Sequence, residues 1–319
     1  MRLAICGVGG QIAEGFVDQL EHSGLEFSLL RAFSLKADDE RSIRVRGSTV
    51  GVRALADADF AEFDILLVFE TLEDLPALAA AANDLGCHVI DASLTGNAGG
   101  RPVVPELMAE ERVDYPVFWS LPSAAVSALA PVLNGLVEGN VLTSLSALIC
   151  EPASAQGDKG TGRLAAETAR LLNGQALEGE SDNERLAFNV SPFAYSDEAI
   201  QGQNLADLLG LTLPDMRLDG LQVPLFYGQT VQLSVGLQMP ADLSKISAAW
   251  IEQDIHVVDN KEQFSPIALA EDDRIHVGRL RVSAAAPHSL CVWIIADNVR
   301  KSAVVNTIKL IEILIKSSI

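Results

Sequence analysis

At 319 residues the chain is long enough for two domains, each with a core that buries most of the surface its unfolded form exposes. Nearly half of the residues are hydrophobic, yet no uncharged apolar run reaches the ~18 residues of a membrane span, which excludes both disorder and a transmembrane helix. Lys and Arg total 23 against 43 Asp and Glu; the net charge of −20 repels phosphate backbones and anionic lipid, so neither nucleic acid nor a membrane is expected as a partner.

Residues 1–10 read directly as strand and turn, without the charged leader and cleavage site of an exported chain. Residues 3–6 form an apolar run, 7–10 a turn, and 12–20 carry helical spacing through Phe16, Val17 and Leu20. Strands follow at 28–33 and 65–69, then an Ala-rich helix at 75–85 between Asp74 and Gly86, then a strand at 88–90. This alternation predicts an α/β domain built on a Rossmann-like, doubly wound parallel sheet. After a Gly/Pro-rich loop at 95–105 come a strand at 117–119 and a helix at 123–136, with a boundary near Pro122. Beyond it the pattern changes to longer alternating strands at 144–150, 230–237, 275–282 and 289–295, with one clear helix at 162–172; an α+β domain on an open mixed or antiparallel sheet is expected. A last helix at 303–315 should return to pack on the first domain. The expected division is 1–121 plus 297–319 for the nucleotide-binding domain and 122–296 for the second; no internal repeat or low-complexity stretch is present.

Cys6, Cys87, Cys150 and Cys291 are far apart and lack any CxxC spacing, which reads as reduced thiols and a cytoplasmic location. His22, His88, His256, His276 and His288 are scattered along the chain, and no metal site is expected. Gly7, Gly10 and Ala13 form a G-x-x-G-x-x-A pattern between the first strand and first helix, where a pyrophosphate meets free backbone N–H groups; Gly7, Gly9, Gly10, Gln11 and Ile12 are the candidate cofactor-binding residues. Gly9 does not complete G-x-G-x-x-G, because Ile12 takes the place of the third glycine. Phe33, Ser34 and Leu35 stand where an NAD-selecting carboxylate belongs, while Arg31 or Lys36 could meet a 2′-phosphate against the charge of Asp38, Asp39 and Glu40. The choice between NADP and NAD stays open. Cys150 beside Glu151, Ser123 at a helix start and the five histidines are isolated candidates, since a nucleophile needs a partner base that spacing does not supply.

Five segments in order resemble the aspartate-semialdehyde dehydrogenase family, whose members are oxidoreductases of amino-acid biosynthesis. They are Ile5-Cys6-Gly7-Val8-Gly9-Gly10-Gln11-Ile12-Ala13, Val89-Ile90-Asp91-Ala92-Ser93, Val103-Val104-Pro105-Glu106, Ala187-Phe188-Asn189-Val190-Ser191-Pro192 and Ala296-Asp297-Asn298-Val299-Arg300-Lys301-Ser302-Ala303. The resemblance implies a Rossmann-like domain, an α+β dimerisation domain of the semialdehyde dehydrogenase type, a homodimer and a nicotinamide cofactor approached by Ser154-Ala155-Gln156-Gly157 and Asn298.

The family reduces an acyl phosphate through a cysteine thioester, and its motif N-P-N-C-S-T aligns with Leu121-Pro122-Ser123-Ala124-Ala125-Val126. Ala124 at the nucleophile position has no lone pair to attack with. The acid/base histidine aligns with Gln229, which does not exchange protons near neutral pH, and the carboxylate-gripping arginine aligns with Gln222. Glu151 replaces the active-site glutamine. The phosphate arginine is replaced near Asn97, and no lysine occurs between Lys159 and Lys245 to supply the family's other phosphate contact. The glycine-rich S-A-G-G loop aligns near residues 68–73, with bulk and acid in place of glycine. The expectation is therefore a catalytically inactive homologue with no intact catalytic residue and an unknown small-molecule ligand. The alternative is an active NADP-dependent semialdehyde dehydrogenase or acyl-phosphate reductase with relocated catalytic residues, centred on Cys150. A pure scaffold without nucleotide is the third reading.

Overall fold

The computed structural model describes the chain except residues 37–39, 97–98, 109–112, 114, 138, 178–184, 195–197, 213–215, 260, 271 and 318–319. Asp38, Asp39 and Asn97 thus lie outside the described residues. Two compact units emerge, Met1–Ser123 with Ser302–Ile319, and Ala124–Lys301.

The first unit runs β1 (Arg2–Cys6), α1 (Gln11–His22), β2 (Leu29–Ser34), β3 (Ser42–Val45), β4 (Ser48–Ala54), β5 (Ile65–Val68), α2 (Leu75–Asp84), β6 (His88–Asp91), β7 (Arg101–Pro102) and β8 (Phe118–Ser120). Its sheet has the order β3-β4-β2-β1-β5-β6-β8-β7, parallel except for the β3–β4 hairpin. Every residue of β5 is buried, as expected of a strand covered on both faces. The period-two alternation of β1 divides the core. Leu3 and Ile5 join Phe16 and Leu20 of α1 with Ile308, Ile311 and Leu314 of the C-terminal helix (Asn306–Ser317), while Ala4 and Cys6 join Leu75, Ala79 and Ala82 of α2. The C-terminal helix therefore packs into the core of the first unit. Lys309 Nζ reaches Glu106 Oε1 at 2.8 Å and fixes that helix to the Val-Val-Pro-Glu segment.

The second unit runs α3 (Ala124–Val137), β9 (Leu142–Glu151), α4 (Gly157–Leu172), β10 (Ser191–Ala194), α5 (Glu198–Leu209), β11 (Met216–Gln222), β12 (Gln229–Leu237), α6 (Leu243–Glu252), β13 (His256–Val257), β14 (His276–Ser283) and β15 (Ala286–Ala296). Its mixed sheet is ordered β10-β11-β9-β12-β15-β14-β13, with β11–β9 and β13–β14 parallel. Ile149, Val231, Leu233, Val292 and Ile294 are buried on one face, where α3 packs against β12 and β15 and against α5 and α6. On the opposite face Leu148, Gln232 and Trp293 are register neighbours across β9, β12 and β15 and remain partly exposed. Sequence patterning found α4 but not α5 or α6, so the single-helix expectation is corrected to three α-helices after β9 among the described residues of this unit. The Ala-Phe-Asn segment is anchored by the buried Glu167 of α4, whose Oε2 accepts from the backbone N–H groups of Leu186 and Ala187 at 2.8 Å each. Burial opposes its ionisation, but those two donors and Arg163 hold its carboxyl below the ordinary range.

Candidate functional site

The chemistry-bearing residues singled out in the second unit collect at one end of its sheet. Glu151 ends β9, Gln222 ends β11, Gln229 opens β12, and Asn298 follows β15. Gln222 pairs in register with Glu151, its Nε2 donates to the Glu151 carbonyl at 2.8 Å, and Gln156 Nε2 donates to Gln222 Oε1 at 2.9 Å. Asn298 is the hub of the adjoining turns. Its Oδ1 accepts from Gly228 N at 3.1 Å, its Nδ2 donates to Ser154 Oγ at 3.0 Å, and the loops around them are joined by Ala153 N–H to Leu225 carbonyl at 2.7 Å. Gly157 follows at the start of α4 with φ +67°, a left-handed turn that suits glycine.

Strand alternation decides which of these side chains share a face. Gln229 stands two residues before Val231 and Glu151 two after Ile149, so both lie on the helix-covered face, together with Gln222 through its pairing to Glu151. Gln229 is buried and its Oε1 has no hydrogen-bond partner among the described residues. Ala124 begins α3, the helix packed on that same face. Cys150 falls on the opposite face. Its thiol is half-buried, burial pushes its pKa up, and it makes no hydrogen bond among the described residues. Register places Cys150, Thr230, Ile295 and His276 in one row across β9, β12, β15 and β14, so three strand spacings, roughly 14 Å, separate that thiol from the His276 strand position.

The glycine turn lies in the first unit. Gly7 has φ +89° and donates its N–H to the Phe33 carbonyl at 3.1 Å; a Cβ there would also come within 2.9 Å of Glu70 Cγ. Glu70 thus leans on the turn, and its Oε1 accepts from Cys6 Sγ at 3.6 Å. Burial, then the neighbouring Glu70, raises the Cys6 thiol to about 12. Gly9 has the Arg41 guanidinium directly against it, Gly10 caps the start of α1 in an extended conformation, and Gln11 and Ile12 form its first turn. A cleft of about 500 Å³ beside the turn is lined by Val8, Gly9, Glu14, Asp18, Arg41 and Arg44. The cation against the turn is therefore Arg41, not Arg31, which pairs with Ala4 in mid-strand, nor the exposed Lys36. A residue seven positions past β2 and just outside β3 gives no periodic signal, which is why patterning missed it.

Two of the five histidines, scattered in sequence, are brought together: His256 Nδ1 and His276 Nδ1 lie 3.2 Å apart. Burial lowers the His276 pKa to about 4 against the raising effect of Asp272, leaving the ring neutral.

Residues 133–301 match the family model of the semialdehyde dehydrogenase dimerisation domain. A USG-1 protein homolog of Pseudomonas aeruginosa is 28% identical, over 99% of this chain and 98% of its own length. Among solved structures, a probable aspartate-semialdehyde dehydrogenase from Pseudomonas aeruginosa superposes with a TM-score of 0.90 at 25% identity, covering 100% of this chain and 99% of that one. The aspartate semialdehyde dehydrogenase of Candida albicans solved with NADP shares the fold, with a TM-score of 0.76 at 15% identity over 99% of each chain. The fold class expected from the sequence is the one found.

Proposed function

Because the chain belongs to the semialdehyde dehydrogenase dimerisation-domain family, we propose that it is a non-catalytic member, a homodimer that keeps a nucleotide-binding framework without the acyl-transfer chemistry. One observation carries this reading: Ala124 and Gln229, at the family's nucleophile and base positions, sit on the helix-covered side of the second sheet, and the thiol that could replace them, Cys150, is on the other side. A methyl group forms no thioester, and a carboxamide takes up no proton near neutral pH. Relocated chemistry through Cys150 would need a base, and the His276 position in its row is three strands away. Intact-mass spectrometry after incubation with aspartate semialdehyde and NADP, in the absence of phosphate, is expected to show the unmodified mass. An added acyl group on any cysteine would overturn the reading.

NADP is the cofactor this framework suits best, with Arg41 against Gly9 offering a 2′-phosphate a cation and the N–H groups of Gly10, Gln11 and Ile12 facing the pyrophosphate. Glu70 opposes binding, since its carboxylate adds a like charge beside the glycine turn. At about 5 Å and near-aqueous screening such a charge is worth roughly 1 kcal/mol, so Glu70→Ala is expected to tighten NADPH binding by up to about fivefold in a fluorescence titration. An unchanged Kd would remove Glu70 from the site.

The homodimer reading puts the second copy on the sheet face of Leu148, Gln232 and Trp293, opposite the face that carries Ile149, Val231 and Ile294. Trp293→Arg inserts an unpaired charge at the centre of that face, and sedimentation equilibrium is expected to show a monomer. A dimer of undiminished affinity would move the interface elsewhere. No described helix is long and apolar enough to cross a membrane.

A further inference from the structure

His256 and His276 are register partners of the short parallel β13–β14 pair, and their rings cross at 62° with the two Nδ1 atoms 3.2 Å apart. Asp272 stands four residues before His276, and one ligand atom from each of the three residues falls within 4.8 Å of the others. His276 is 1% exposed, and its Nε2, without a hydrogen-bond partner among the described residues, lies 3.6 Å from Asp272 Oδ1; His256 Nε2 lies 3.8 Å from Glu262 Oε2.

Two arrangements satisfy a 3.2 Å Nδ1–Nδ1 separation. In one, a proton on either ring makes a hydrogen bond. In the other, both lone pairs meet a cation, and bonds of about 2.0–2.1 Å at tetrahedral angles set the nitrogen–nitrogen edge at roughly 3.3 Å. The outer atoms favour the cation. Each ring turns its Nε2 toward a carboxylate, the partner that metal-bound imidazoles commonly have behind them. Arg274 holds Asp272 in place, with its backbone N and Nε on Oδ1 at 2.9 and 3.0 Å and a guanidinium nitrogen on Oδ2 at 2.6 Å, which keeps the carboxylate ionised and rigid. A cavity of about 30 Å³ adjoins Asp272 and His276, enough for a water ligand.

We propose that the paired Nδ1 atoms of His256 and His276 form a binding site for a zinc-class divalent cation, with Asp272 and Glu262 as the carboxylates behind the rings and water completing the shell. Imidazole nitrogens suit zinc in preference to magnesium or calcium, which take oxygen ligands. The ion would clip the two-residue β13 to the sheet. His276 pairs with Ile295, and the next residue, Ala296, pairs with Gln229, so the site stands two strands, roughly 10 Å, from Gln229. It is a structural site, separate from the family's proton-transfer position.

Equilibrium dialysis of the full chain, stripped with EDTA and returned to zinc alone, tests it. The expected result is one zinc per chain, with affinity at least about tenfold weaker in both His256→Ala and His276→Gln. Saturating zinc is expected to raise Tm by about 2–4 °C in the unmodified protein only. Cobalt in place of zinc should give a visible spectrum without the thiolate charge-transfer band that a cysteine ligand would add. Absence of stoichiometric uptake, uptake indifferent to His256→Ala, or a thiolate band would each overturn the proposal. His256 is half-exposed, so its truncation leaves the test readable if the His276 variant fails to fold.

Discussion

Supplied with aspartate semialdehyde, NADP and phosphate, the protein is expected to form NADPH about 10⁶-fold more slowly than a relative that carries both cysteine and histidine. The size follows from the way the two groups act together. Without a thiolate at position 124 there is no thiohemiacetal from which hydride can leave, and without an imidazole at position 229 no group takes the proton, so the losses do not add as independent contributions. On the proposed reading Gln222 removes a further element, because a carboxamide would offer the substrate carboxylate one or two neutral hydrogen bonds where a guanidinium offers a charged fork. It is also occupied, donating to the Glu151 carbonyl and accepting from Gln156. The double variant Ala124→Cys, Gln229→His is therefore expected to stay within about tenfold of the unmodified background, since its new thiol meets an unanchored substrate. Adding Gln222→Arg should bring the first measurable turnover. The measurement is absorbance of NADPH at stoichiometric enzyme, and clear turnover by the unmodified protein would end the non-catalytic reading.

The parts of the molecule legible in the sequence were those whose chemistry is local. β1 and β5 announced themselves as uninterrupted apolar runs, and the glycine turn by its position between strand and helix. The β3–β4 hairpin did not, because its turn is made by Arg46 and Gly47, both at positive φ, and an arginine is an unusual occupant of that conformation. α5 was hidden by an interior Gly202 and by a face that buries only Gln201 and Leu205. α6 could have been found: Asp242 caps it through Ser244 N and Lys245 N, and Ile246 and Trp250 lie one turn apart. At the candidate site the alignment of motifs named Ala124, Gln222 and Gln229, but only strand register shows that Cys150 faces away from them. The histidine pair is further out of reach of the sequence. His256 and His276 lie twenty residues apart, with no ligand-like spacing, and meet only because β13 returns beside β14.

Trp250→Ala is expected to destabilise the second unit by about 3–5 kcal/mol, a large share of the stability of an ordinary domain. The indole is fully buried between α6 and α3 and donates its Nε1–H to the Val132 carbonyl at 2.9 Å, so truncation leaves a cavity and removes that hydrogen bond together. The hollow it fills exists because residue 135 is glycine: a Cβ there would stand 2.6 Å from the indole Cδ1, closer than packed atoms tolerate. Gly135→Ala should therefore destabilise the protein by about 1–3 kcal/mol despite the better helix propensity of alanine. In the Trp250→Ala background the same substitution meets no indole. There it should be neutral or stabilising by up to about 1 kcal/mol, and the sign reversal in urea midpoints is the measurement that separates a steric fit from two independent helix effects. Additive losses in the double variant would show that α3 and α6 are not held by this contact.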